Sequence, residues 1–248
     1  MSQTTRAAQN ETVIVTGLTN REFLERHAKP GCIGLCGGAT PVDLAIRHAQ
    51  RRLDEQRRLS CWSHAFLFEG VRVDGQHWII ESDLQFHRKN IQLGVQENRI
   101  TKYDDEKMYP HLAVLDFGLN ESQVAALLRE GLDLVASHER YSLRELVGTL
   151  LALHRPELRG QDNLLARERS VYCSAFVQRL FRRTGIDLSP GVTDKNTTPE
   201  DISRTSVPHV TYLLQRDIPD GKIAALRAKL KQQVPAQLRR IRQRVKRA

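Results

Sequence analysis

The stretch "VYCSAFVQRLF", Val171–Phe181, decides how this chain is read. Cys173, Phe176, Val177, Leu180 and Phe181 fall at i, i+3, i+4, i+7 and i+8, which puts them on one face of an α-helix. Arg179, Arg182 and Arg183 lie off that face, and Gly185 follows as a natural stop. The helix therefore opens with a cysteine. Such a thiol is either the first packed residue of an apolar face, the commoner case, or a nucleophile favoured by a helix N-terminus. The rest of the chain has to supply the reason to choose.

A nucleophilic thiol needs a base within hydrogen-bond reach and a third group to orient that base. Two segments offer them. In "SHAFLFEG" the period-2 alternation puts His64 on one strand face with Phe66 and Phe68. In "GQHWIIES" the apolar run Trp78, Ile79, Ile80 ends on Glu81. Taken singly, a histidine on an apolar face is more often a satisfied core residue, and a carboxylate at a strand end usually emerges into water. Together they matter, because adjacent strands lie about 4.8 Å apart and a hairpin register can bring His64 and Glu81 into contact. Asp83 shares Glu81's face, so alternation alone does not separate them. Glu81 is preferred because it directly follows the apolar run.

The bulk properties narrow the field. A chain of 248 residues with 40% apolar residues can form one large domain or two small ones. No run approaches the roughly 18–20 apolar residues of a membrane span, and the first residues show no secretory leader, so a cytoplasmic location is expected. Cys32 and Cys36 are spaced C-x3-C with no second Cys/His pair, so neither a zinc site nor any other metal or cofactor is expected. The glycines of "GCIGLCGGAT" lack the Lys-Ser/Thr that closes a phosphate loop and read as a turn.

The net charge of +9 is uneven. Residues 221–248 hold ten basic and no acidic residues, which leaves 28 Lys and Arg against 29 Asp and Glu in the rest. The body is near neutral, which argues against a nucleic-acid-binding fold. In the tail Ile223, Leu226, Leu230, Val234, Leu238, Ile241 and Val245 form a narrow stripe, with Pro235 as a kink. A basic amphipathic helix is expected there. It would lie on the domain, or bind an anionic membrane surface or a protein partner in preference to nucleic acid, since it has no aromatic to stack on bases. Peripheral membrane attachment is thus an option beside the cytoplasmic one.

Along the chain, residues 1–20 read as a poorly ordered segment with a short strand at "TVIVTG". A helix capped by Asn20 follows, then a strand in "GCIGLCGG" and a helix capped by Thr40 with Pro41 and Asp43 in its first turn. That helix shows the stripe Val42, Ala45, Ile46, Ala49, Leu53. Strands are expected at "SHAFLFEG", "GQHWIIES", "IQLGVQENRITKY" and "HLAVLDF". Asn120 with Gln123 and Ser142 with Glu145 mark two further helix starts. The Cys173 helix, a short helix near "TTPEDIS" and a strand at "VTYLLQ" complete an α+β pattern.

Four segments, "WSHAFLFEG", "WIIES", "VYCSAFVQRLF" and "TTPEDIS", resemble the permuted NlpC/P60 group of papain-like cysteine enzymes, the YiiX-like and YaeF-like amidases. "PGCIGLCGG" is similar to that group's opening strand. The resemblance spans roughly residues 29–207; its specific parts are the Ser-His and Tyr-Cys-Ser segments. It departs at Cys32, where the group has Asp, and after Cys173, where Ser174-Ala175-Phe176-Val177 replaces Ser-Glu-Leu. About ninety residues between Glu81 and Cys173 imply inserted helices. The resemblance implies a papain-like catalytic domain over residues 21–220, with a small antiparallel sheet packed on the cysteine helix and residues 221–248 outside it. It implies a cysteine hydrolase of amidase or peptidase type cleaving an amide or ester. Cys173 is the implied nucleophile, His64 the base and Glu81 the orienting acid. The Cys173 N–H would serve the oxyanion hole, and Tyr172 would line the substrate site. A lipid or protein acyltransferase on the same fold, and a catalytically silent binding module, are the alternatives. Peptidoglycan peptides, lipid amides and protein isopeptides stay open as substrates.

Overall fold

A computed structural model of the chain describes residues 10–87, 90–137, 148–149, 152–153, 156–161 and 172–216. The chain divides into two compact units, Met1–Gln215 and Arg216–Ala248. The fold below is that of the first. The basic tail 221–248 and the helix expected from Ser142 and Glu145 lie outside the described residues.

The elements run β1 (Glu11–Val15), α1 (Asn20–His27), β2 (Ile33–Gly37), α2 (Pro41–Ala49), β3 (His64–Val71), β4 (His77–His87), β5 (Asn90–Arg99), β6 (His111–Asp116), α3 (Glu121–Ala136), α4 (Cys173–Arg183), α5 (Pro199–Ser203) and β7 (Val210–Leu214). Short 3-10 turns cover Gln50–Leu53, Ile100–Tyr103, Pro156–Leu158 and Asp194–Asn196. The strands form one sheet in the order β1-β7-β6-β2-β3-β4-β5. β1 pairs parallel to β7, and the other pairs are antiparallel. The fold is α+β, as the pattern implies, but the sheet is neither small nor purely antiparallel: it has seven strands among the described residues and is mixed. The tenth to twentieth residues, assigned above to a poorly ordered segment, supply β1 and the approach to α1.

Both sheet faces are covered, which is why β2, β3 and β6 carry near-continuous apolar runs. Ile33, Leu35, Ala65, Leu67, Ala113 and Leu115 face α3 and α4 and form one core with Phe176, Val177, Leu180 and Phe181. Phe66, Phe68, Leu112 and Val114 face the other way, with Phe23 and Leu24 of α1 and with Tyr103. The apolar face of α4 read from the sequence is thus buried. Gly185 adopts φ +82° beyond it, and the N–H groups of Gly185 and Ile186 close back on Arg182 and Phe181 carbonyls, a Schellman arrangement.

Two local expectations differ. Thr19, not Asn20, caps α1, because a Thr19–Glu22 capping box forms; Asn20 is buried and its Nδ2 donates to the Tyr103 and Tyr109 carbonyls. In α2 Val42 and Ala45 are exposed, and the buried face is Ile46, Arg47 and Gln50. The polar pair is accommodated by bonds from Arg47 Nε to the Ser60 carbonyl and from Gln50 Nε2 to the Trp62 carbonyl. No helix among the described residues is long and apolar enough to cross a membrane.

Gly34 of β2 lies beneath the Phe66 ring. A Cβ there would sit 2.1 Å from Phe66 Cε2. The ring cannot swing away freely, since it stacks on Tyr103 at 4.6 Å between centroids. Gly34→Ala is expected to destabilise the fold by about 1–3 kcal/mol, the usual range for overpacking. Urea denaturation checks this; an unchanged midpoint would show that the ring has room to move.

Candidate active site

At the N-terminus of α4, Tyr172 and Ser174 flank Cys173 and grip one acceptor. The Thr197 carbonyl accepts from Tyr172 Oη at 2.6 Å and from Ser174 Oγ at 2.8 Å. Thr149 Oγ1 donates in turn to Tyr172 Oη at 3.0 Å. The first turn of α4 is thereby fixed to the loop before α5. Tyr172, expected to line the substrate site, has its side chain buried in the core and its hydroxyl bonded to backbone carbonyls. The N-cap of α4 makes no side-chain bond to the helix, whereas capping boxes close α1, α2, α3 and α5 among the described residues. The first N–H groups of α4 are left for another acceptor.

On the facing side, His64 opens β3. Its Nε2 lies 2.6 Å from Glu81 Oε2. An ionised carboxylate only accepts, so Nε2 carries the proton. Cys173 lines the same cleft as His64 and acts on its charge, and Nδ1 is the ring nitrogen that Glu81 does not take. The structure therefore brings Cys173, His64 and Glu81 together. Asp83 is close but differently engaged. Continuing the β3–β4 register beyond Leu67↔Ile80 sets Asp83, not Glu81, opposite His64. The imidazole nevertheless bonds Glu81, and Asp83 accepts from Lys102 Nζ at 2.5 Å.

Glu81 is fully buried and accepts four bonds. Oε2 takes His64 and, at 2.7 Å, Tyr103 Oη; Oε1 takes Asn98 Nδ2 at 2.7 Å and Lys102 Nζ at 2.6 Å. Burial works against its charge, but Lys102 and His64 outweigh it and hold the carboxyl well below the usual carboxylate range. Burial also opposes charge on His64. Cys173 and Glu81 overcome it, so the imidazole stays protonated well above its ordinary pH. The sequence reading missed Asn98, Lys102 and Tyr103. All three sit at the end of β5 and in the turn after it, and no motif spacing marks them.

The Ser-His pair also has a local reason. Ser63 Oγ donates to Asp43 Oδ1 at 2.7 Å and accepts the Gly38 N–H at 2.9 Å. The glycines of the "GCIGLCGGAT" stretch permit this approach: a Cβ on Gly38 would sit 2.2 Å from Asp43 Oδ2, and one on Gly37 1.8 Å from the Cys61 carbonyl oxygen. Gly34 and Gly37 belong to β2, and Gly38 opens the short link from that strand to α2. Between α2 and α4 a cleft of about 240 Å³ reaches Cys173 and His64, with Val42, Ile46, Asp83, Lys102 and Tyr109 in its walls.

The other cysteines are set apart. Cys36 pairs with His64 across β2 and β3, and burial pushes its thiol well up. Burial pushes Cys32 up to about 12, and Cys61 is exposed at the surface. Among the described residues no three His, Cys, Asp or Glu side chains are grouped to hold a metal ion.

No family model and no curated protein matches the chain. Among solved structures, the crystal structure of the metalloprotein YiiX from Escherichia coli O157:H7 aligns at 12% identity with a TM-score of 0.48, over 78% of this chain and 99% of that one.

Glu81 gives a stability test with a definite sign. Its carboxyl is held below its unfolded value, so the stabilisation is complete above the unfolded pKa and fades as pH falls through the folded one. Glu81→Gln removes the charge and is expected to cost about 3 kcal/mol at neutral pH. The gap between wild type and variant should narrow below about pH 4.3, where the unfolded carboxyl takes up its proton. Urea unfolding from neutral to acid pH measures it; a gap independent of pH would refute the charged pairing.

Proposed function

We propose that the chain is a cysteine hydrolase acting at an amide or ester carbonyl, on a papain-like fold permuted as in the NlpC/P60 group. One observation carries the reading: His64 is bonded to Glu81 through Nε2 and lines one cleft with Cys173. The chain order, base then acid then thiol, fits a permuted arrangement.

In this reading the thiol proton of Cys173 has passed to His64 Nδ1, and Sγ attacks the carbonyl carbon as the thiolate. Glu81 holds the ring and stabilises the imidazolium that forms. The carbonyl oxygen gathers negative charge beside the N-terminus of α4, where the Cys173 N–H donates to it. The tetrahedral centre collapses, the C–N or C–O bond breaks, and His64 returns the proton to the departing amine or alcohol. Water, deprotonated by His64, then cleaves the acyl thioester to carboxylic acid and free thiol. The apolar walls Val42 and Ile46 suit an acyl group and keep transfer to an amine or alcohol as the second reading.

The test is acylation by p-nitrophenyl acetate followed by peptide mass spectrometry. Cys173 is expected to carry the acetyl group before Cys61, the exposed thiol, and Cys173→Ala should abolish the burst. First labelling at Cys61 would overturn the assignment. His64→Ala and Glu81→Gln should each lower turnover by about 100-fold or more, and Asp83→Asn far less. Losses of equal size for the two acids would remove Glu81 from its role. Added amine or alcohol acceptor separates transferase from hydrolase by product.

A further inference from the structure

We propose that Lys102, paired with Asp83, is a positioning residue of this site: it fixes Glu81 against His64 and sets the pH window in which Cys173 reacts. The inference rests on the proposed Cys173–His64–Glu81 assembly and adds to it two residues outside the triad.

Lys102 follows β5 in a 3-10 turn, and its side chain is 17% exposed. Its ammonium is held by two carboxylates of the same strand, Glu81 at 2.6 Å and Asp83 at 2.5 Å. Those acids are two residues apart on one face of β4, in a site with little water. Left alone, two such charges repel, and one tends to take up a proton. Lys102 removes that conflict and ties Glu81 Oε1, so Oε2 stays aimed at His64. Burial opposes charge on Lys102, but the two acids more than compensate, so it is a permanent cation here.

The charged and titratable groups around it come from every neighbouring element. Besides the two acids of β4, His64 of β3 and Cys36 of β2 lie in the same pocket. Asp43 of α2 and Cys173 of α4 line its other walls, and Tyr103 and Tyr109 flank the turn. Of these Cys36, Tyr103 and Tyr109 are held neutral by burial. Asp43 is engaged by Thr40 and Ser63. The charges around the Cys173–His64 pair are therefore the cation Lys102 and the carboxylates Glu81, Asp83 and Asp43.

The sign of each substitution follows. Losing a cation makes protons harder to remove from both members of the pair; losing an anion makes it easier. The rate of Cys173 alkylation by iodoacetamide, followed by peptide mass spectrometry in the full chain, reports the pair without any substrate. Lys102→Met should move the midpoint of the rate–pH curve up by about one pH unit, and Asp83→Asn should move it down by a similar amount. Lys102→Arg, which restores the charge, should bring the curve back toward wild type. A Lys102→Met variant slowed equally at every pH, with its midpoint unmoved, would make the residue merely structural and overturn the proposal. Should Lys102→Met fail to fold, Asp83→Asn decides alone: a lowered midpoint supports the assignment, and an unmoved one overturns it. Wild-type Cys173 no more reactive than Cys61 would overturn the proposed function and this inference with it. A reactive Cys173 with unmoved midpoints overturns only the inference.

Discussion

A carboxylate with no exposure to water must find its donors inside the protein, and Glu81 finds four. An unpaired charge at that depth costs several kcal/mol, so each donor is constrained by the same requirement. His64 comes from β3, Asn98 from the end of β5, and Lys102 and Tyr103 from the turn that follows. The pairing of β3, β4 and β5 is thus tied to one side chain. Further support lies beneath it: Tyr103 stacks on Phe66, and Phe66 needs the bare backbone of Gly34. A glycine in β2 therefore bears on the aim of an imidazole in β3 through two rings and one carboxylate.

The opposite wall is held by a backbone oxygen. Tyr172 and Ser174 stand on either side of Cys173 in sequence, and both donate to the Thr197 carbonyl. This gives the Tyr-Cys-Ser motif a mechanical meaning that needs no contact between Tyr172 and substrate. Beyond Thr197 a capping box opens α5, and Glu200 of that helix accepts from Ser60 Oγ at 2.6 Å while its N–H donates to Gln50 Oε1 at 2.8 Å. α5 thereby links the cysteine helix to the end of α2 and to the segment leading into His64. The two walls of the cleft are held in register by polar bonds between buried groups, which are directional where apolar packing is not.

Much of this was legible in the sequence, and the gaps have physical causes. The face of α4 was readable because five apolar residues keep helical spacing, and the strands because their runs are buried on both sides. The 3.6-residue period failed at α2: Ile46 alone of the expected stripe is fully buried, beside Arg47 and Gln50, whose polar ends reach backbone carbonyls that no pattern reveals. Alternation could not choose between Glu81 and Asp83. The register favours Asp83, yet His64 bonds Glu81, and Lys102, about twenty residues away in sequence, ties both acids. The size of the sheet was underestimated because the parallel β1–β7 pair joins residues 11–15 to residues 210–214. Such a pairing leaves no local signature.

Three of the four thiols are alike in burial and differ in their surroundings. Cys32, Cys36 and Cys173 are all nearly inaccessible. Cys36 is even the strand partner of His64 and shares the cleft with Cys173. It sits in β2, however, with its carbonyl taken by the Ser63 N–H, and burial together with Asp43 outweighs Lys102 and keeps its proton in place. Cys173 has the same histidine within reach and a different backbone. It begins a helix whose N-cap makes no side-chain bond, at the positive end of the helix dipole. The two cysteines beside one imidazole thus differ in their backbone: one is a strand residue paired on both sides in the sheet, and the other opens a helix.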